Sequence, residues 1–229
     1  GSSTYTGTAA VPLKLKAGYT LDATTESKTI SPSSLHEKLD YTPTVVEDFS
    51  STPIKHGAIA DDQYDEFGTC IHNYFAAHKW EGKMQIAKHE ADNIALANAT
   101  VANHGKTKEL PQPADITHAV DSLFSYLEVT FGAGELLREC PFTYCRDNGQ
   151  LVHGEIDLVW KLENGECILV DYKNYPGTSK NVMTPGDKHY VGNYFPQLRE
   201  YRTALEAAGM TVTKVFVFYA VLGGLVEIV

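Results

Sequence analysis

The stretch from Leu151 to Lys173 constrains this chain more than any other. Two apolar runs, Leu151–Leu162 and Glu166–Lys173, flank the turn signal Glu163-Asn164-Gly165, so they read as the strands of a tight hairpin. Each strand carries an acid among apolar neighbours. Asp157 sits in Gly154-Glu155-Ile156-Asp157-Leu158-Val159-Trp160, and Asp171 follows Ile168-Leu169-Val170. A carboxylate placed there is costly without a partner. A hard divalent cation is the natural one, because it takes carboxylate oxygens. Lys173 stands two residues beyond Asp171 and therefore shares its face of the strand. An ammonium at that place can offset developing negative charge or orient a water. Alone, D-x-K is common and reads more readily as a surface ion pair at a strand end. A second acid across the turn favours a metal site of the kind that cleaves phosphodiesters.

The rest of the chain supplies a mixed α/β frame for this hairpin. Residues 1–60 read as an irregular N-terminal segment or linker, rich in Ser, Thr and Pro between Ser27 and Pro53. Gly1-Ser2-Ser3 looks like a cloning scar, and Ile30 to Leu35 suits the start of a short helix. Residues 61–229 form the folded domain. Asp61 to Trp80 reads as a helix, with Tyr64, Phe67, Ile71, Tyr74 and Phe75 near the helical period. Gln85 to Asn103 is a second helix, and Asp115 is expected to cap a third that runs to Phe131. Glu135 to Cys145 is a strand, joined to the next through Asp147-Asn148-Gly149. Tyr175 to His189 reads as a mobile loop, Tyr194 to Ala208 as a helix stopped by Gly209, and Val212–Val221 and Leu225–Val229 as closing strands.

Composition narrows the function classes. The chain has 229 residues, 43% of them apolar and 21% charged, which is ordinary for a globular protein. No apolar run reaches the roughly 18 residues of a membrane helix, so no membrane partner is expected. No leader with a charged start and apolar centre opens the chain, and a cytoplasmic, reducing setting is expected. Lys and Arg number 19 against 29 Asp and Glu, a net charge of −10. Free-standing nucleic-acid binders are usually basic, although net charge says little about a local cleft. The four cysteines form no C-x-x-C pair, which argues against zinc.

Two further patterns bear on the site. Gly68-Thr69-Cys70-Ile71-His72 places a glycine one turn before a histidine on the first helix. A mid-helix Gly costs about 1 kcal/mol relative to Ala, which suggests close approach of another backbone. Neutral imidazole is a competent metal ligand, although a lone His is as easily a satisfied surface or core residue. Gln197 and Tyr201 are four residues apart and share a helix face with Tyr194.

Taken in order, these pieces resemble the RecB-like branch of the PD-(D/E)xK nuclease superfamily. The matching segments are Gly68 to His72, Glu139-Cys140-Pro141-Phe142, Gly154 to Leu158, Asp171-Tyr172-Lys173, and Gln197 to Tyr201. The likeness is nearest to the C-terminal nuclease domains of RecB- and AddA-type helicase–nucleases, and Ile30 to Leu35 resembles a segment that precedes such domains. The resemblance implies a restriction-endonuclease-like αβββαβ core, a central mixed sheet flanked by helices, with extra N-terminal helices. It implies a Mg²⁺- or Mn²⁺-dependent deoxyribonuclease, exonuclease rather than endonuclease, acting in double-strand-break repair and recombination. His72, Asp157, Asp171 and the Tyr172 carbonyl would ligate the metal. Lys173 would position or activate water, and Gln197 and Tyr201 would complete the catalytic set. Glu139 and Gly68 would support it. Lys180, Lys188, Arg199 and Arg202 would line the path of DNA, although each reads more readily as a plain surface charge.

The implied partners are DNA, a single strand bound without sequence specificity, and a helicase motor on the same polypeptide or on a separate partner chain. The implied location is the nucleoid. A motor that delivers the strand would also reconcile the acidic balance with a DNA substrate. Two positions depart from the family pattern: Glu155 adds charge beside Asp157, and Asn174 stands where Thr is usual. No Cys follows Cys167, so no iron–sulfur cluster is expected, and the cysteines read as packed thiols. A stand-alone exonuclease or defence nuclease, and a catalytically inactive DNA-binding scaffold, are the competing readings.

Overall fold

A computed structural model of the chain describes residues 29–35, 37, 43–48 and 53–228. They form one six-stranded mixed sheet with helices on both faces, an α/β architecture. In chain order the elements are β1 (Pro43–Asp48), α1 (Tyr64–Ala77), α2 (Ile86–Asn103), α3 (Pro113–Phe131), β2 (Gly134–Cys145), β3 (Leu151–Leu162), β4 (Glu166–Lys173), α4 (Ser179–Met183), α5 (Phe195–Ala207), β5 (Thr211–Tyr219) and β6 (Gly224–Ile228). The sheet runs β1-β6-β5-β4-β3-β2. Only β4 and β5 are parallel, and α5 lies in the crossover between them.

Side-chain alternation assigns the two faces. On β4, Ile168, Val170 and Tyr172 enter the core built with α1, α2 and α3, whereas Cys167 and Leu169 enter the core built with α5. The same period delivers Asp171 and Lys173 to the α5 side. Buried aromatics fill the three-helix side, among them Phe67, Tyr74, Phe75, Phe124 and Trp160. Polar links tie these helices together. The buried His78 meets Asp121 at 3.0 Å and the Tyr74 hydroxyl at 2.8 Å, and that hydroxyl meets Thr117 at 2.8 Å.

Several boundaries differ from the sequence reading, each for a local reason. Helix α1 ends at Ala77 rather than Trp80. Its open carbonyls are taken by Arg138 of β2, whose Nη1 donates to Ala76 O at 3.0 Å and His78 O at 2.5 Å. Gln112, not Asp115, stands at the N-cap of α3; Asp115 instead accepts the Lys55 N–H at 3.2 Å. Gly209 behaves as expected. With φ of 87° it closes α5 while its N–H reaches Glu206 O and the Met210 N–H reaches Leu205 O, both at 3.0 Å. Among the thiols, Cys70 and Cys167 are buried, but Cys145 is exposed rather than packed.

Two larger expectations are corrected. The segment before residue 61 is not merely irregular: it supplies β1, which pairs with β6, and Ile30 bridges to Val152. The expected short helix there is a single 3-10 turn, Pro32–Ser34. Gly1-Ser2-Ser3 lies outside the described residues. The Tyr175–His189 segment, expected to be mobile, is packed. It contains α4, capped by Thr178, and buries Val182 against the α5-side core. Asn181 Nδ2 donates to Asp187 at 2.7 Å, and the Tyr175 and His189 rings stack at 3.8 Å. No helix among the described residues is long and apolar enough to cross a membrane.

Candidate active site

The site forms where β3 and β4 part company. Their ladder runs from Lys161↔Cys167 to Leu158↔Val170 and stops there, while β3 continues to pair with β2. Asp157 is the first residue past the end of the ladder. Its Oδ2 accepts the Tyr172 N–H at 2.6 Å, so a side chain takes over where backbone pairing ceases. That bond holds Asp157 against the residue between Asp171 and Lys173.

Asp157 faces His72 of α1, with Oδ1 3.5 Å from Nδ1. The neighbouring strand adds a third ligand. Arg138 pairs with Leu158 and Cys140 with Ile156, so Glu139 lies directly across from Asp157. Glu139 has a φ of 44°, the one described non-glycine residue in the left-handed region. Its Oε1 is buried without a hydrogen-bond partner. One ligand atom each from His72, Glu139 and Asp157 lie within 4.8 Å of one another. Two carboxylates and an imidazole suit a divalent cation, and an orphaned carboxylate oxygen among them is what such an ion would satisfy.

Asp171 is 1% exposed and stands outside this trio. Its Oδ2 is 2.8 Å from Lys173 Nζ, an ion pair rather than an aligned hydrogen bond. Its Oδ1 accepts from Gln197 Nε2 at 3.4 Å, and Gln197 in turn donates to the Tyr201 hydroxyl at 2.5 Å. Lys173 lies over the Tyr194 ring, 4.5 Å from its centre. The expected residues of β4 and α5 therefore form one connected chain.

Electrostatics follow from burial and crowding. Burial pushes the Glu139 carboxyl up to about 7, helped by the charge of Asp157 and opposed by His72. Burial also raises Asp171 to about 6, although Lys173 pulls it back. Burial alone would lower the His72 imidazole, but the Asp157 hydrogen bond and the charges of Asp157, Asp171 and Glu139 outweigh it and raise it. Lys173 behaves likewise: burial would lower it, and Asp171 and Asp157 raise it further than burial lowers it. The result is a pocket of negative potential beside a firmly protonated lysine.

His72 of the trio, Tyr172 and Lys173 line a cleft of about 860 Å³. The start of α1 forms one side with Asp61, Tyr64 and Asp65, and the 175–189 segment the other with Tyr175, Lys188 and His189. Of the four basic residues expected along a DNA path, only Lys188 lines this cleft. Lys180 is exposed on α4. On α5, Arg199 pairs with Glu37 at 2.6 Å and Arg202 with Glu206 at 2.9 Å. Gly68 is not approached by a backbone: a methyl there would meet only the Asn174 side chain at 3.6 Å. Asn174 Nδ2 donates to Gly68 O at 3.3 Å, which ties the end of β4 to α1.

Sequence reasoning undervalued Glu139, placed Tyr194 on the Gln197 face without a role, and overlooked Tyr175 and His189. For Glu139 the signal existed. Counting back from the Asp147-Asn148-Gly149 turn along an antiparallel register places it opposite Asp157. For the rings no local signal existed, since only the folded loop brings them to the cleft.

No protein-family model matches the chain. It is 26% identical over 152 residues to an ATP-dependent helicase/nuclease subunit from Lysinibacillus sphaericus (strain C3-41). That match covers 62% of this chain and 12% of the relative, so the chain spans about an eighth of the protein it resembles. The solved structure of SSO0001 overlays with 15% identity, 69% of this chain and 73% of the other, at a TM-score of 0.28, too low to carry an argument. The chain is thus distantly similar to one part of a helicase/nuclease protein.

Proposed function

We propose that the chain is a metal-dependent deoxyribonuclease with a restriction-endonuclease-like core, the nuclease part of a helicase–nuclease that processes broken DNA. The observation that carries this reading is the His72–Glu139–Asp157 trio, joined through Asp157 and the Tyr172 amide to the Asp171–Lys173 pair. The distant likeness to a helicase/nuclease protein points the same way.

In this reading His72, Glu139 and Asp157 hold Mg²⁺ or Mn²⁺, with Asp171 and the Tyr172 carbonyl as the further ligands that the resemblance implies. The bound cation supplies Lewis-acid stabilisation of charge on the phosphoryl oxygens. The reaction is hydrolysis: a water oxygen bonds to phosphorus and a P–O ester bond breaks. Lys173 is held protonated by Asp171, so it acts as a cation that orients water and offsets charge, not as a base. Gln197 and Tyr201 hold Asp171 in place. No group of this set reads base identity, so cleavage is without sequence preference. The helicase is a partner on the same polypeptide or on a separate chain, and the working location is the nucleoid.

The test is cleavage of end-labelled single-stranded DNA by the purified chain with Mg²⁺, Mn²⁺ or EDTA, beside Asp171→Ala and Lys173→Ala. Metal-dependent cleavage lost in both variants is the expected result, and the product ladder distinguishes exonuclease from endonuclease. A wild type that neither cleaves nor binds Mn²⁺ by calorimetry would overturn the reading in favour of an inactive scaffold.

A further inference from the structure

The cleft carries aromatic chemistry that hydrolysis does not use. Tyr175 and His189 stand at opposite ends of the 175–189 segment, yet their rings stack at 3.8 Å with planes only 20° apart. Core rings in this protein more often meet edge-on, as Phe75 and Tyr172 do at 78°. Both members of the stack line the cleft, as do Pro176, Tyr194 and the 41% exposed Tyr64.

The loop is built around the placement of one of these rings. A Cβ at Gly177 would collide with both Cζ and the hydroxyl of Tyr175, so any other residue there would displace the ring. Charge sorts the cleft as well. Lys173 and Lys188 stand with the rings, while Asp61 and Asp65 stand at the start of α1 and repel phosphate. Rings beside lysines are what a single nucleic-acid strand uses, because every base has a π-face and every linkage a negative charge.

We infer that the Tyr175–His189 stack is a nucleobase platform, on which one unpaired base of the substrate strand rests while its phosphates lie toward Lys173 and Lys188. The inference rests on the nuclease reading above and deepens it. An unpaired base can add to this stack anywhere along a strand, a paired one only at a duplex end, so the platform favours single strand over duplex.

The experiment compares binding of the full chain, in EDTA, to fluorescein-labelled oligothymidylate and to an equally long oligomer made of abasic sites. Fluorescence anisotropy is expected to show roughly 5- to 150-fold tighter binding of the thymidylate, the range that stacking of one base spans. Tyr175→Ala and His189→Ala are expected to lose that preference, Tyr175→Phe to keep it, and Gly177→Ala to behave as Tyr175→Ala. Equal binding of both oligomers by the wild type overturns the platform, and that arm depends on no variant's folding. Retention of the preference by folded Tyr175→Ala also overturns it. Metal-dependent cleavage of the thymidylate is followed in parallel. Cleavage without base preference rejects the platform alone, base preference with neither cleavage nor Mn²⁺ binding rejects the nuclease alone, and the absence of all three rejects the two together.

Discussion

Replacing Glu139 with Gln removes the carboxylate that folding least tolerates without a cation. Its Oε1 is buried without a partner, its neighbour Asp157 is charged, and its carboxyl is raised from 4.5 to about 7. A carboxyl raised by folding binds its proton more tightly in the folded chain than in the unfolded one. Stability therefore drains as pH climbs from about 4.5 to about 7, and the loss is complete above that. A rise of that size costs at most about 3.4 kcal/mol. Glu139 is only partly buried, and solvent screening reduces the expected cost to about 2 kcal/mol. In EDTA at pH 8, Glu139→Gln should be more stable than the wild type by that amount, about 4–8 °C in Tm for a chain of this size. Near pH 4.5 the difference should vanish. Mn²⁺ should reverse the order, because a ligand that binds only the folded state stabilises it, and the variant has lost one of three donors. Thermal unfolding at both pH values, with and without Mn²⁺, reads all three effects. A variant no more stable than the wild type at pH 8 in EDTA, or equally responsive to Mn²⁺, would refute the reasoning.

Other perturbations follow from the same geometry. Lys173→Met leaves Asp171 buried without its cation and should cost about 3–5 kcal/mol at pH 8 in denaturant melts. Because Asp171 is then raised further still, the cost should shrink as pH falls toward 5 and the carboxyl protonates; an equal cost at both pH values would contradict the assignment. Arg138→Met uncaps the carbonyls that end α1 and removes the cation over Phe124, and should cost about 2 kcal/mol with little change in m-value. Lys188→Ala should lower the salt dependence of single-strand binding by about one ion, whereas Arg199→Ala and Arg202→Ala, paired with Glu37 and Glu206 away from the cleft, should leave it unchanged.

Much of the scaffold was legible because its signals are local. Apolar runs on either side of Glu163-Asn164-Gly165 mark the hairpin, the helical spacing of Phe67, Ile71 and Tyr74 marks the buried side of α1, and Gly209 closes α5. The segment before residue 61 was harder. Its strand is an edge strand that pairs with β6, almost the whole chain away, and its composition shows no alternation. The 175–189 segment was misread for the opposite reason. Gly, Pro, Ser and Thr favour turns, but here Thr178 caps the short α4, Asn181 bonds to Asp187, and Val182 is buried.

Residue order alone marks the acids and the lysine whose burial demands partners. A carboxylate between apolar strand neighbours demands a partner wherever it is placed, so Asp157, Asp171 and Lys173 declare themselves by burial cost alone. Folding then sets which groups they meet. The ladder between β3 and β4 stops at Leu158, and Asp157 beyond it meets His72 and Glu139, while strand parity sends Asp171 to Gln197 on α5 and Lys173 to the Tyr194 ring. The same folding brings Tyr175 and His189 together across their loop. Short-range patterns record what each residue costs to bury; which groups then meet depends on where ladders end and loops close, and that is set by packing between segments distant in the chain.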